Sequence, residues 1–166
     1  MSTSAVATRS AAHDFDFWIG RWNVRNRRLR ERLARTDEWD DFGAKVVARP
    51  LPGGLGNEDL YCTGFDGGFV AMSFRFFDPE TDHWSIYWAD SRRPGALDPP
   101  LFGSFSGDRG LFLGTDTIDG RPILVRFLWS DVTTPTPRWE QAFSEDAGDT
   151  WETNWIMTFT RPEEES

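Results

Sequence analysis

From residue 20 onward, apolar and polar residues alternate with a period of two, and turn residues interrupt the alternation at short intervals. This pattern is typical of half-buried β-strands, and no stretch sustains the period of an amphipathic helix. It predicts about nine or ten strands within residues 16–161 and a short helical turn near residues 14–19. Because consecutive hairpins without a long crossover favour closure, we expect an all-β, up-and-down antiparallel β-barrel.

The clearest hairpin surrounds residues 78–82, where Pro79 occupies a favoured turn position. Apolar residues stand at every second position on both sides of this turn: Val70, Met72, Phe74 and Phe76 before it, and Trp84, Ile86 and Trp88 after it. A hairpin centred on Glu80 places both apolar sets on the inner face, and coincident faces fix a register. The predicted cross-strand pairs are Phe76 with Trp84, Phe74 with Ile86, and Met72 with Trp88.

Two further hairpins follow in the second half of the chain. Asp119-Gly120 is a strong two-residue turn signal between strands near 110–117 and 122–130. The prolines within residues 133–137 end the next strand, because proline cannot donate to a sheet. Pairing Trp139 with Trp155 and Phe143 with Trp151 then builds an aromatic ladder on the inner face. The same register places Thr153 on that face and Asn154 on the opposite one.

The aromatic composition favours a barrel cavity lined by Trp and Phe rings. The chain has nine Trp and 14 Phe but only two Tyr and two His, so its rings favour apolar contact over acid–base chemistry. Several Trp on one inner face are difficult to pack solidly in a small barrel, whose centre is often a cavity. The predicted ligand-binding residues are Phe74, Trp84, Trp88, Phe127, Trp129, Trp139, Gln141 and Trp155.

The net charge, the cysteine count and the length limit the partners, the location and the number of domains that we expect. The 166 residues carry a formal net charge of −9, which argues against nucleic acid or an anionic membrane as the main partner. With one cysteine, Cys62, and no secretory or membrane-spanning pattern, a cytoplasmic protein is expected. We predict one domain over residues 13–161, between a flexible terminus at 1–12 and an acidic tail at 162–166.

The first strand begins with Phe-Asp-Phe-Trp-Ile-Gly-Arg-Trp, and the last strand ends in Phe-Thr-Arg. A Gly-x-Trp at the first strand and a late Arg resemble the calycin (lipocalin-like) barrels. Residues 13–161 also resemble a bacterial domain family of unknown function that is predicted to be calycin-like. Further segments that carry this resemblance are Phe-Asp-Pro-Glu-Thr, Trp-Ser-Ile-Tyr-Trp-Ala-Asp-Ser and Trp-Glu-Thr-Asn-Trp. The resemblance implies a barrel with a cavity, closed at one end by a cation–π contact between Trp22 and Arg161.

Residues 144–151, Ser-Glu-Asp-Ala-Gly-Asp-Thr-Trp, resemble the Asp-box of sialidase-type propellers. In such a turn, serine and aspartate side chains satisfy backbone amides and glycine allows the bend. Propellers repeat this motif, whereas it occurs once in this short chain. Asp146 and Trp151 are therefore expected to have structural roles in a hairpin.

The chain offers few catalytic or ligating groups. The candidates for proton transfer or charge stabilisation are Glu58, Tyr87, Asp90 and Arg92, of which the last two precede a Pro/Gly-rich loop suited to a lid. His83 faces away from Trp84, so haem ligation is not expected, and no spacing fits a zinc or calcium site. Neither a cofactor nor a metal is predicted.

A basic run follows Trp22 and occupies both faces of an extended strand: Arg21, Arg25, Arg27, Arg28, Arg30, Arg32 and Arg35. It is interpreted as a solvated strand that pairs with nearby acids, with an anion-binding patch as the alternative.

Together these features predict a protein that binds a small hydrophobic or planar organic molecule in the barrel. One alternative is a cofactor-independent enzyme of the isomerase or cyclase type that uses the same cavity. Another is an interaction module whose exposed aromatic face forms a homodimer.

Overall fold

The structure is a computed structural model that describes residues 10–163. It confirms the predicted all-β architecture, with ten antiparallel strands. In chain order, β1 to β10 are Gly20–Leu29, Trp39–Pro50, Gly56–Thr63, Phe69–Asp78, His83–Asp90, Leu101–Ser106, Arg109–Ile118, Arg121–Ser130, Arg138–Ser144 and Glu152–Thr160. Each strand pairs with its neighbour in sequence, and β10 pairs with β1 to close the barrel. The β7–β8 turn consists of Asp119 and Gly120, both at positive φ, as the hairpin signal predicts.

Two short 3₁₀ turns, Ala11–His13 and Asp16–Trp18, close one end of the barrel. Phe15 and Trp18 are both 2% exposed, and the Phe15 ring packs edge-on to Trp84 at a centroid distance of 4.9 Å. The Trp84 indole N–H also donates to the carbonyl of Ala11 at 3.1 Å. Ala11 and Ala12, which the sequence assigns to a flexible terminus, thus belong to this closed end, whereas residues 1–9 lie outside the described part.

Arg161 lies across Trp22 at the closed end. Its guanidinium carbon is 3.6 Å from the centroid of the Trp22 ring, and its nitrogens donate to the carbonyls of Phe17, Ile19 and Arg21. Gly20 has a φ of +115°, and a Cβ there would lie 2.7 Å from an Arg161 nitrogen. Glycine is therefore needed at this position for both its backbone conformation and the close approach of Arg161. Among residues 10–163, no helix is long and apolar enough to cross a membrane.

The predicted register of the β4–β5 hairpin is wrong by one residue. Phe77, not Phe76, lies opposite Trp84, and Phe74 lies opposite Tyr87. The inner face of β4 therefore carries Ala71, Ser73, Arg75 and Phe77, while Val70, Met72, Phe74 and Phe76 face outward. The outward face of β4 is the more apolar of the two, so alternation alone selects the wrong face.

The β9–β10 hairpin also differs from its predicted register. Trp155 lies opposite Gln141 and Met157 opposite Trp139, with a bulge between Thr153 and Trp155. The extra residue, Asn154, is fully buried and accepts a hydrogen bond from the Gln141 amide at 2.9 Å. The expectation that Asn154 faces outward is wrong, because a bulge changes the face of every residue on one side of it.

The β9–β10 turn carries a dense set of hydrogen bonds. One Asp146 carboxylate oxygen accepts from the Ser144 hydroxyl and from the Thr150 backbone N–H, each at 2.8 Å. The Ser144 hydroxyl oxygen accepts from the Gly148 N–H at 2.8 Å. Trp151 donates to the Gly148 carbonyl and lies under the guanidinium of Arg126, which places it outside the barrel rather than opposite Phe143.

Candidate functional site

A cavity of about 540 Å³ occupies the barrel between the closed end and the loops at the other end. Its floor consists of Trp18, Asp59, Arg75 and Trp129, and its aromatic wall of Tyr61, Trp88, Phe127, Trp139 and Trp155. Its mouth carries charged residues from β1 and its following loop, the end of β5, the β5–β6 loop and the β7–β8 hairpin: Arg28, Arg32, Asp90, Arg92, Arg93, Asp98, Asp116 and Asp119. This volume lies within the range of about 300–1,000 Å³ found for small-molecule sites.

The rings of the aromatic wall meet edge to face. Trp155 is 5.8 Å from Trp139 and 6.1 Å from Trp88 between ring centroids, with interplanar angles of 82° and 79°. Phe127 meets Trp139 at 4.9 Å and 63°. In this arrangement the rings contact one another favourably, and Trp88 and Phe127 are the least buried rings of the wall.

A buried polar network holds the wall in place. Asn26 accepts hydrogen bonds at one side-chain oxygen from the Tyr61 hydroxyl at 2.8 Å and from the Trp155 indole at 3.1 Å. The Asn26 amide then donates to the carbonyl of Phe42. Burial raises the pKa of Tyr61 well above its usual range, so its hydroxyl stays a neutral donor. The network fixes two wall rings and leaves Tyr61 unsuited to act as a base.

An ion pair between Arg75 and Asp59 lies in the floor. The two side chains are 6% and 4% exposed, and their nitrogen and oxygen atoms are 2.6 Å apart. Arg75 also donates to Asn57, while Asp59 accepts from the Trp18 indole at 3.0 Å. Removing either charge would leave the other buried without a partner, which typically costs about 3–5 kcal/mol.

The floor also contains two buried donors whose hydrogen-bonding capacity is unused. Within residues 10–163, neither Arg75 Nε nor Trp129 Nε1 has a hydrogen-bond partner. The Arg75 guanidinium carbon is 5.2 Å from the centroid of the Phe15 ring and 6.0 Å from that of Trp129, so aromatic faces partly replace the missing acceptors.

At the mouth, Asp90 joins the aromatic wall to the loop after β5. Its carboxylate accepts from the Trp88 indole at 3.0 Å and from the backbone N–H of Arg92 at 2.9 Å, and it forms an ion pair with the Arg92 side chain. Burial favours the protonated acid, but the hydrogen bonds from Arg92 and Trp88 outweigh it and lower the pKa of Asp90 to about 2. Asp90 therefore remains a carboxylate at neutral pH and is poorly suited to general-base catalysis there.

Two arginines of the mouth have no carboxylate partner among the described residues. Half-buried Arg28 lies over the Trp155 ring at 4.7 Å, and exposed Arg32 lies 6.0 Å from the centroid of Phe143. Burial, together with the positive charges of Arg32 and Arg92, lowers the pKa of Arg28 to about 10. The interpretation of the basic run as a solvated strand thus fits Arg25 and Arg27, which face outward, but not Arg28.

The predicted site residues separate into two groups. Eight of them line the cavity: Trp88, Phe127, Trp129, Trp139, Gln141, Trp155, Asp90 and Arg92. Trp84 faces inward but packs between Phe15 and Phe77 at the closed end, outside the cavity. Glu58, Phe74 and Tyr87 form one cross-strand row on the outer face, where Glu58 pairs with Arg49. The assignment of Glu58 and Phe74 to the inner face is wrong, and the one-residue register error explains Phe74. Tyr87 lies on the face opposite Trp84 and Trp88, as alternation along β5 predicts, so it does not reach the cavity.

The sequence interpretation missed several polar residues of the cavity. Asp59 and Tyr61 stand two positions apart on β3, while Ser73 and Arg75 interrupt the apolar run of β4. An arginine inside an apolar strand, with an aspartate at an inward position of the neighbouring strand, is a signal that could have identified the floor ion pair. Arg28 follows Trp22, Val24 and Asn26 at every second position, which indicates the same inward face.

Metal ligands do not cluster in the described part of the chain. No group of three or more His, Cys, Asp or Glu side chains within residues 10–163 has a metal-binding arrangement. His83 is exposed at the start of β5, and its Nδ1 lies 2.7 Å from the carbonyl oxygen of Thr81.

Comparison of the chain with protein-family models and with curated protein sequences gives no match. The geometry of the cavity therefore has to carry any functional conclusion.

Proposed function

We propose that the protein binds a small, mostly apolar and planar organic molecule inside the barrel. The observation that carries this proposal is the cavity of about 540 Å³ whose wall consists of aromatic rings and whose mouth is polar. Burial of apolar ligand surface against such rings supplies affinity, and a few polar groups supply orientation.

The rigidity of the wall supports a binding function. Trp88 and Trp155 each donate an indole hydrogen bond, to Asp90 and Asn26 respectively, so their rings are held whether or not a guest is present. A preorganised wall loses little conformational entropy when the ligand enters, which favours affinity.

We also propose that the barrel is a calycin. The closed up-and-down topology supports this assignment, and so does the position of Arg161 across Trp22 beside Gly20. Both features accord with the resemblance described for the sequence.

The enzymatic and homodimeric alternatives have less support. Glu58 and Tyr87 lie on the outer face, and Asp90 is engaged by Trp88 and Arg92, so the proposed acid–base candidates do not converge on a reacting group. Trp88, Trp129, Trp139 and Trp155 all line the cavity, so an outer dimer face would have to rely on other rings, such as the exposed Phe76 and Phe102.

The proposal predicts saturable binding of an uncharged aromatic probe. Titration with anthracenecarboxamide should quench Trp fluorescence by energy transfer and reach a stoichiometry of one per chain. The W139L variant should bind about tenfold more weakly, because it removes a ring from the wall. W39L is the matched control, since Trp39 lies outside the barrel beside Arg27 and should not affect binding.

Absence of saturable quenching by the wild-type protein would contradict the proposal. Equal effects of W139L and W39L would also contradict it, because they would place the probe outside the cavity.

A further inference from the structure

We propose that the ligand carries a carboxylate, which Arg28 and Arg32 receive at the mouth while the planar body lies against the aromatic wall. This inference rests on the proposed binding function and adds the charge class and orientation of the ligand.

The first support is the uneven distribution of charge around the mouth. Arg93 forms an ion pair with Asp98, and the carboxylates of Asp98, Asp90 and Asp116 together raise its pKa. Arg28 and Arg32, in contrast, form no ion pair with any residue in 10–163. One side of the mouth thus has a closed ion pair, and the other holds two guanidinium groups that no carboxylate of the described residues contacts directly.

Asp90 attracts Arg28, and Glu152 and Asp98 attract Arg32, but all three acids make their hydrogen bonds and ion pairs elsewhere. Both oxygens of Glu152 accept from the backbone N–H of Leu33, at 2.8 and 3.1 Å. Asp90 accepts from Arg92 and Trp88. Since the chain as a whole is strongly acidic, a pair of arginines without an ion-pair partner at a cavity entrance is unlike the average surface. An incoming anion would relieve the repulsion that Arg28 experiences from Arg32 and Arg92.

Arg28 places a positive charge directly beside the aromatic wall. Its guanidinium lies over the Trp155 ring, and Trp155 is edge-on to both Trp88 and Trp139. An anion bound at Arg28 therefore has an apolar surface directly beside it, toward the barrel interior. A guanidinium presents parallel N–H donors that match the two oxygens of a carboxylate. The geometry consequently fits an amphipathic organic acid better than an inorganic ion.

The test compares two probes of equal shape that differ in charge. Anthracenecarboxylate and anthracenecarboxamide, matched in ring position, are titrated into the full chain at neutral pH, and Trp quenching reports each affinity. The wild-type protein should bind the carboxylate about tenfold more tightly than the amide, because hydrogen bonds to a charged group are stronger. Rising salt concentration should reduce this preference.

Single substitutions at the mouth locate the anion. R28Q and R32Q should each weaken carboxylate binding, by about tenfold for R28Q, and should leave amide binding within about twofold of wild type. R25Q is the control, since Arg25 lies on the same strand and faces outward. Unchanged amide binding also shows that each variant remains folded.

The outcomes separate the two proposals. Equal affinities for the two probes, or a preference that survives both R28Q and R32Q, would overturn the carboxylate site while leaving cavity binding intact. Failure of both probes to bind the wild-type protein would overturn the proposed function itself, and the carboxylate site with it. A salt-sensitive preference lost in R28Q but not in R25Q supports the inference.

Discussion

Asp90 connects three parts of the mouth through one carboxylate. Its oxygens accept from the Trp88 indole, the Arg92 backbone and the Arg92 guanidinium, and the side chain is 2% exposed. The guanidinium of Arg92 in turn lies 3.8 Å from the centroid of Phe69. The orientation of a wall ring and the shape of the mouth therefore depend on the ionisation of a single group.

This dependence predicts how D90N changes stability with pH. The pKa of Asp90 falls from an ordinary value of 3.8 to about 2 on folding, so its stabilising effect is complete above about pH 4 and is lost toward pH 2. Near pH 7, D90N should be less stable than wild type by about 2 kcal/mol. Urea unfolding at several pH values should show this difference shrinking as the solution is acidified.

The control for this measurement is D149N, because Asp149 is exposed in the β9–β10 turn. It should remain close to wild type at every pH. A D90N difference that stays constant down to pH 2 would contradict the assigned role of the carboxylate.

At the scale of the strand, β4 shows why sequence alternation predicts architecture better than register. Its outward residues include Phe74 and Phe76, whereas its inward residues include Ala71, Ser73 and Arg75. Hydrophobicity alone would place the phenylalanines inside. Small side chains are needed on the inner face because they leave space for the cavity, and Arg75 is needed there to pair with Asp59.

The contact between β6 and β7 depends on a glycine. A Cβ at Gly103 would lie 1.9 Å from the carbonyl oxygen of Leu111, and the neighbouring backbone cannot yield as a side chain can. G103A should therefore destabilise the protein by about 3 kcal/mol, as measured by chemical unfolding. G64A, whose added Cβ would have no atom within 4 Å, should lie within about 0.5 kcal/mol of wild type. Similar stabilities for the two variants would show that β6 can shift to accept a side chain.

At the scale of the whole molecule, the barrel was predictable and its charged interior was not. Period-two alternation and turn residues indicate consecutive hairpins, and each hairpin is a local feature of the chain. The Asp59–Arg75 pair and the Tyr61–Asn26–Trp155 network depend instead on the mutual position of several strands. Six of the predicted ligand-binding residues do line the cavity. They lie on β5, β8, β9 and β10, whose inward faces are mostly aromatic: Trp88, Phe127, Trp129, Trp139, Gln141 and Trp155.

The errors in predicted register occur where the deciding contacts lie on a neighbouring strand. The bulge at Asn154 inserts one residue without any glycine or proline to mark it, and its stabilising partner, Gln141, lies on the neighbouring strand. Arg28 likewise belongs to a basic run. Its alternation with Trp22 and Val24 indicates an inward face, but only the closed barrel brings it to the mouth of the cavity. The positive charge at the mouth of the cavity therefore depends on where the closed barrel places Arg28, and not on the number of arginines in the chain.

Binding of a ligand inside the cavity can be tested directly through the nine Trp side chains. In a ¹⁵N-labelled sample, each indole N–H gives one NMR signal, which single Trp→Phe variants can assign. Addition of anthracenecarboxylate should shift the signals of Trp88, Trp139 and Trp155, which line the cavity, and leave those of Trp39 and Trp151 in place. An unchanged spectrum, or shifts confined to Trp39 and Trp151, would contradict binding inside the barrel.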